Sequence, residues 1–399
     1  MPHFLDSEAS GSVGDHARTN DFQGKCVVVT GGTRGTGLAV LRRLAGSGAR
    51  VLTAARSERP EEIGEDHFVR ADLTTAEGCT QLASAALERL REEVAVVLPR
   101  YRTAKMPHTE RVWHQMHIHC GPHYFQVGID RYEERGVVYL FVDCPPLFDR
   151  GGIYGEWGGS YHDNHLRYAV LSLAALGIAR HGIFRPDVFH THDWHTGLLP
   201  AYLRANYGGD PELRGCKLAF TIHNLGYQGN YSRDVMGELG LDGWLYHSDG
   251  LEFWNQVSFM KAAITWSDIV NAVSPTYARE IQTPEYGFSM DGVLRKNAFK
   301  LTGILNGIDY DEWNPATDPN LVSHFSSRTL SGKRLCKGHL LREMGLPEDP
   351  KRPLIGIVSR FASQKGFDIF AEAAAGLAQQ DVSFAVLGSG RSEEHTSEL

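Results

Sequence analysis

The strongest constraint on the fold is a pattern that recurs along the chain: an apolar, β-rich run ends in a polar or glycine-rich turn, which opens into a helix. It appears at 25–57 (KCVVVTGGTRGTGLAVLRRLAGSGARVLTAARS), at 186–203, at 217–229 and at 354–379. Strands alternating with helices in this way predict an α/β chain of Rossmann-like parallel sheets. In open sheets of that kind ligands sit at the carboxyl ends of the strands, so the turns are where function is expected.

The most informative turn is 189–199, FHTHDWHTGLL, between Pro186-Asp187-Val188 and Pro200-Ala201-Tyr202-Leu203. His190, His192 and His195 with Asp193 and Trp194 crowd a place where loops are usually small and polar. The stretch is read as an active-site turn. Two alternatives stand beside it: a strand end whose histidine is merely hydrogen-bonded, and a metal site, although no second cluster at ligand spacing accompanies it.

The 399 residues suffice for more than one core. With 42% hydrophobic and 22% charged residues and a net charge of -8, the chain has an ordinary globular composition that argues against a dedicated nucleic-acid binder. Its 6 cysteines are scattered without a Cys-x-x-Cys pair, and the longest apolar stretch, 168–179, is short of the roughly 20 residues that span a bilayer. A cytoplasmic protein with reduced thiols, no membrane segment and no metal is expected.

Residues 1–20 read as a disordered lead. The turn that follows, Thr30-Gly31-Gly32-Thr33-Arg34-Gly35-Thr36-Gly37, has glycines where a pyrophosphate approaches a helix N-terminus. In its setting of strand, turn and helix it resembles the T-G-x-x-x-G-x-G fingerprint of short-chain dehydrogenases/reductases. The resemblance implies an NADP site over 21–92: Gly31, Gly35 and Gly37 at the phosphates, Arg56 at the 2′-phosphate and Asp72 at the adenine. The catalytic part of that family is not expected here, since no N-N-A-G strand follows and no helix carries its Tyr-x-x-x-Lys acid. An NADP-dependent reductase fragment with an appended domain is the weaker reading.

From Val94 the text changes character, with a join expected near 90–93. The strand VAVVLP precedes a long segment predicted to be irregular, then Val138–Asp143, FDRGGIYG at 148–155, and Asp163-Asn164 opening an apolar helix. Further on come HTHDWHTGLLPAYL, FTIHNLGYQG, AVSPTYAREI, LNGIDYDEWNP and VSRFASQKG. In this order the motifs resemble the bacterial glycogen synthase and starch synthase family of GT-B glycosyltransferases, over about 93–390. That implies a first catalytic domain at 93–315 and the start of a nucleotide-sugar domain at 316–390. It also implies retaining transfer of glucose from ADP-glucose to the 4-OH end of an α-1,4-glucan.

By the same resemblance His195 lies beside the transferred sugar, and Arg360 and Lys365 neutralise the departing diphosphate without a metal. Asn306, His223 and Asn224 contact the substrates. The family's opening K-x-G-G-L-G-D turn and its G-x-E-P-C-G-L turn do not occur in the sequence, so no measurable glucose transfer is expected from these residues alone. A non-catalytic nucleotide or glucan binder is the corresponding alternative. Residues 391–399, RSEEHTSEL, resemble a translated sequencing adapter and are expected to be foreign to the fold. The choice of ADP- over UDP-glucose and the oligomeric state are not fixed by the sequence.

Overall fold

The computed structural model describes residues 25–388, apart from 31–32, 34, 57–58, 62, 76, 80, 83–84, 86–92, 157–158, 311 and 362. The expected lead at 1–20, most of the expected join near 90–93 and the tail at 391–399 lie outside these. The chain divides into two compact units, Met1–Val96 with Arg131–Leu140, and Val97–Asp130 with Phe141–Leu399.

In the first unit, β1 (Cys26–Thr30), α1 (Gly35–Gly46), β2 (Arg50–Ala55) and β3 (Phe68–Arg70) form the expected βαβ start. The strands are parallel in the order β1-β2-β3, with Val27 opposite Val51 and Thr53 opposite Phe68. Central β2 is buried on both faces, as a parallel strand flanked by helices should be. Val51 packs with Leu41, Ile63 and Phe68, while Leu52 and Ala54 pack with Val69, Ala71 and Leu82.

A four-stranded sheet follows, made of β4 (Val94–Pro99), β5 (Glu110–Cys120), β6 (His123–Glu134) and β7 (Val137–Asp143) in the order β4-β7-β6-β5. The segment predicted to be irregular is thus mostly two long strands. Met116, Ile118 and Cys120 alternate buried with exposed His117 and His119 along β5. Histidines on the solvent face dilute the alternation that would have announced the strand.

The second unit is built on a parallel sheet of β8 (Val188–His192), β9 (Lys217–Ile222), β10 (Ile269–Ala272) and β11 (Leu301–Gly303), ordered as numbered. The helices α2 (Asn164–Arg180), α3 (Leu198–Ala205) and α4 (Phe259–Trp266) belong to the same unit. α2 is buried from Asn164 to Ala179, so it is apolar all round and its few polar groups must find partners inside. Phe220, Ile222, Val270 and Ala272 of the sheet pack with Met260, Ala263 and Ile264 of α4 and with Met290 and Leu294. Ser258 caps α4 by accepting the Lys261 N–H, and Ser274 caps the turn after β10 by accepting the Tyr277 N–H, as Ser does at helix starts.

Beyond β11 come α5 (Ser331–Glu343), β12 (Leu354–Val358), α6 (Phe367–Leu377) and β13 (Ser383–Leu387). β12 and β13 pair in parallel, Gly356 opposite Ala385, as the second βαβ pattern predicted. Among the described residues no helix is long and apolar enough to cross a membrane, and all six cysteines are free thiols.

Candidate active site

The site is built where β8 and β9 end side by side, with His192 in register with Thr221. One residue later the backbone of Asp193 turns into the left-handed region, φ 50° and ψ -173°, a conformation that costs a non-glycine residue of order 1–3 kcal/mol. Local bonds hold it there. The Asp193 N–H donates to Thr221 O at 3.0 Å, and Asp193 Oδ1 accepts the N–H groups of His223 (2.8 Å) and Asn224 (3.2 Å). Burial raises this carboxyl above its ordinary range in spite of the two donors.

The strained residue launches a short 3-10 turn, Trp194–Thr196, that leads into α3. Gly197 closes it against α4, where any Cβ would collide with the Phe259 carbonyl. Gly229, at φ +59°, lies against the Trp194 indole, so a Cβ there would come within 2.5 Å of the ring. Trp194 is held between that loop and Tyr168, whose ring stands edge-on at 4.9 Å.

His195 sits in an aromatic box. Its ring is 4.8 Å from Tyr168 edge-on, 4.3 Å from Trp194 and 5.1 Å from Tyr154. Burial, and secondarily the positive charge of Arg167, push its pKa down to about 4. It is therefore neutral at pH 7, with one ring nitrogen to donate and one to accept.

The other two histidines of the turn part company with it. His190 bonds Thr221 Oγ1 at 2.8 Å across the strands, the role foreseen for a merely structural histidine. His192 Nδ1 faces His223 Nε2 at 3.0 Å, and desolvation with the nearby His190 and His223 lowers its pKa to about 4.

The expected residues converge in part. His223 and Asn224 are joined to the His195 turn through the Asp193 carboxylate. Asn224 Nδ2 in turn donates to Gln364 Oε1 at 3.1 Å, within the 3-10 turn Ser363–Lys365 that ends in Lys365. Arg360 is exposed just past β12, and its charge is felt at the Tyr154 hydroxyl, which burial otherwise pushes upward. Lys365 is exposed beside Gln364. A hollow of about 370 Å³ opens at the carboxyl ends of β12 and β13, lined by Val358, Ser359, Leu387 and Gly388. Asn306 is exposed shortly after β11, at the carboxyl edge of the main sheet, where Ile304 N–H still bonds Ala272 O at 2.9 Å.

Three residues not singled out from the sequence belong to this constellation: Asp193, Gln364 and Tyr154. Each lay inside a quoted motif, and only the fold gives it a role. No group of His, Cys, Asp and Glu among the described residues could hold a metal ion.

In the first unit, Gly35 and Gly37 begin α1, Arg56 is exposed past the end of β2, and Asp72 follows β3, all toward the carboxyl edge of that sheet. Gly31 lies outside the described residues. Asp72 Oδ1 accepts the N–H (3.0 Å) and hydroxyl (2.7 Å) of Thr74, which with the charge of Arg56 hold its pKa below the usual range. A Tyr-x-x-x-Lys spacing does occur, at Tyr101 and Lys105, against the expectation that there is none to serve as acid. It lies in the irregular loop after β4 and not on a helix. There Tyr101 packs edge-on to Phe148 at 5.9 Å.

Comparison with known proteins agrees with both halves of this description. Residues 25–98 match the short chain dehydrogenase family model, and residues 76–296 match that of the starch synthase catalytic domain. The chain is 43% identical over 306 residues to a glycogen synthase of Koribacter versatilis, covering 76% of this chain and 63% of that protein. It is 44% identical over 311 residues to a glycogen synthase of Myxococcus xanthus, covering 77% and 65%. The catalytic domain of starch synthase IV from Arabidopsis thaliana, solved with ADP and acarbose, superposes with a TM-score of 0.68 at 32% identity, over 76% of this chain and 62% of that one. The chain thus spans just under two thirds of the length of these relatives. With its fold and its strand-end site both matched over most of its length, the chain belongs to the starch synthase catalytic domain family, with the GT-B-type α/β fold.

Proposed function

We propose that the site serves the retaining transfer of glucose from ADP-glucose to the 4-OH end of an α-1,4-glucan, with the β8 and β9 strand ends holding the acceptor side. The Asn224–Gln364 hydrogen bond carries this reading, because it ties the turn bearing the Arg360 and Lys365 cations to the strand ends bearing His195. In such a transfer positive charge develops on the sugar ring and negative charge on the departing diphosphate. Arg360 offers a planar fork and Lys365 a compact charge to phosphate oxygens. A neutral His195 can hydrogen-bond a sugar hydroxyl without setting a cation beside a ring that is itself becoming positive. Asn306, His223 and Asn224 have the polar groups to orient the two sugars.

Isothermal titration of the full chain with ADP and with maltoheptaose tests the reading. Both should bind at pH 7, with Arg360→Ala and Lys365→Ala weakening ADP and His195→Ala weakening maltoheptaose. A chain that binds neither ligand overturns it.

For the first unit we propose a nucleotide-binding edge. The carboxyl-edge setting of Arg56 and Asp72 favours it, and Arg56 would meet the 2′-phosphate of NADP. Loss of NADPH fluorescence enhancement in Arg56→Ala, with no loss for NADH, is the expected outcome, and the absence of any NADPH signal in the parent chain overturns it.

A further inference from the structure

Arg167 lies in the first turn of α2 and is fully buried. Its guanidinium donates from Nε to Leu147 O at 2.7 Å, and from Nη1 to Ile153 O at 2.9 Å and to Asn164 Oδ1 at 2.7 Å. Asn164, so fixed, donates from Nδ2 to Tyr154 O at 2.9 Å. One cation and its amide partner therefore hold both ends of the 147–154 loop, and Tyr154 at its far end stacks toward His195 at 5.1 Å. The face of the guanidinium is covered by Tyr161 at 4.8 Å, Tyr168 at 5.6 Å and Phe148 at 5.7 Å.

Nη2 of Arg167 is buried with no hydrogen-bond partner, and so is the Tyr168 hydroxyl. An unpaired donor on a buried cation is costly, and an amide side chain or a lysine would tie down a loop with less desolvation. The loop needs this group for its planar fork, which reaches two carbonyls six residues apart in sequence, and for its charge.

We propose that Arg167 is a positioning residue: it clamps the 147–154 loop from beneath so that Tyr154 and His195 are held face to face at the acceptor side of the site. The groups that face His195 are Arg167 and Tyr168 of α2, Tyr154 of the loop and Trp194 of its own turn. Of these only Arg167 is charged at pH 7, and its charge adds to burial in keeping His195 neutral. The acceptor role rests on the function proposed above, whereas the clamp does not.

Two variants of the full chain separate the fork from the charge. Arg167→Lys keeps the charge and cannot span both carbonyls. Arg167→Met loses both. The readouts are amide exchange over 147–154, the His195 ring titration by NMR, and maltoheptaose affinity.

Both variants are expected to exchange faster across the loop and to bind maltoheptaose about tenfold more weakly, which corresponds to roughly 1.4 kcal/mol. The His195 midpoint should rise from about 4 in Arg167→Met and stay low in Arg167→Lys. A folded Arg167→Met with parental loop exchange, midpoint and affinity overturns the proposal. If Arg167→Met does not fold, parental loop exchange in Arg167→Lys overturns it. If the parent chain binds no maltoheptaose, the functional reading fails, and loop exchange with the His195 midpoint still decides the clamp.

Discussion

Asn224 and Gln364 are 140 residues apart in sequence and share a hydrogen bond of 3.1 Å between their side-chain amides. Asn224 also uses its Oδ1 to accept the Gly226 N–H at 3.0 Å, so its orientation is fixed before it reaches Gln364. The bond joins a strand-end loop of the main sheet to the turn that carries the two candidate leaving-group cations. Asn224→Ala should free that turn while leaving the sheet intact. Amide exchange across 359–366 is expected to rise at least severalfold with little change across 217–222, because the β9 ladder is untouched. Equal protection in both forms would show that the bond does not restrain the turn.

Gly197 bears on the fold more than on the chemistry. The α3–α4 approach leaves no room for a Cβ beside the Phe259 carbonyl, and the contact is backbone on one side, so it cannot rotate away. Gly197→Ala should cost about 1–3 kcal/mol, the usual range for forced overpacking, and displace the His195 turn with it. Urea unfolding of the two forms measures this, and a midpoint unchanged at constant slope would count against the close approach.

What the sequence makes legible follows from local chemistry. β9 and β13 are bounded by turn residues and come out at the predicted limits, Lys217–Ile222 and Ser383–Leu387. His195, His223 and Asn224 are legible because they follow apolar runs in an α/β pattern. The partners that give them meaning are not: the Asp193 carboxylate reaches His223 N–H only because β8 and β9 are adjacent and in register, which no local window contains. Arg167 is invisible for another reason. In a helix buried on every side a charged residue reads as the one solvated position, and only the loop carbonyls that surround it reveal that it is the best-paired cation of that helix.

The cysteines offer a chemical check on the cores. Burial pushes the Cys120 and Cys144 thiols up to about 11, and both are nearly inaccessible, whereas Cys79 is exposed. Reactivity follows thiolate fraction and access together. Ellman's reagent on the native chain at pH 8 should therefore modify Cys79 rapidly, and Cys120 and Cys144 only on unfolding. Peptide mapping that finds Cys120 labelled at the rate of Cys79 would contradict the packing of β5.

Acid should weaken the second unit through His195. Its pKa is about 4 in the folded chain against an ordinary value of 6.5, so between those limits the unfolded state binds a proton that the folded state refuses. Stability then rises with pH across that window: the contribution is fully present above about 6.5 and is lost as the pH falls toward 4. At 1.36 kcal/mol per unit the group accounts for roughly 3 kcal/mol over the whole window. His192 acts in the same direction from a more open position, and Asp193, whose carboxyl is raised by burial, opposes them at the acid end. Unfolding followed by near-UV circular dichroism should give a free energy that falls from pH 7 to pH 4.5 in the parent chain and falls less steeply in His195→Asn, which keeps a polar ring-sized group without the titration. Parallel curves for the two forms would mean that His195 is protonated in the folded chain, and the neutral hydrogen-bonding role proposed for it would go with that result.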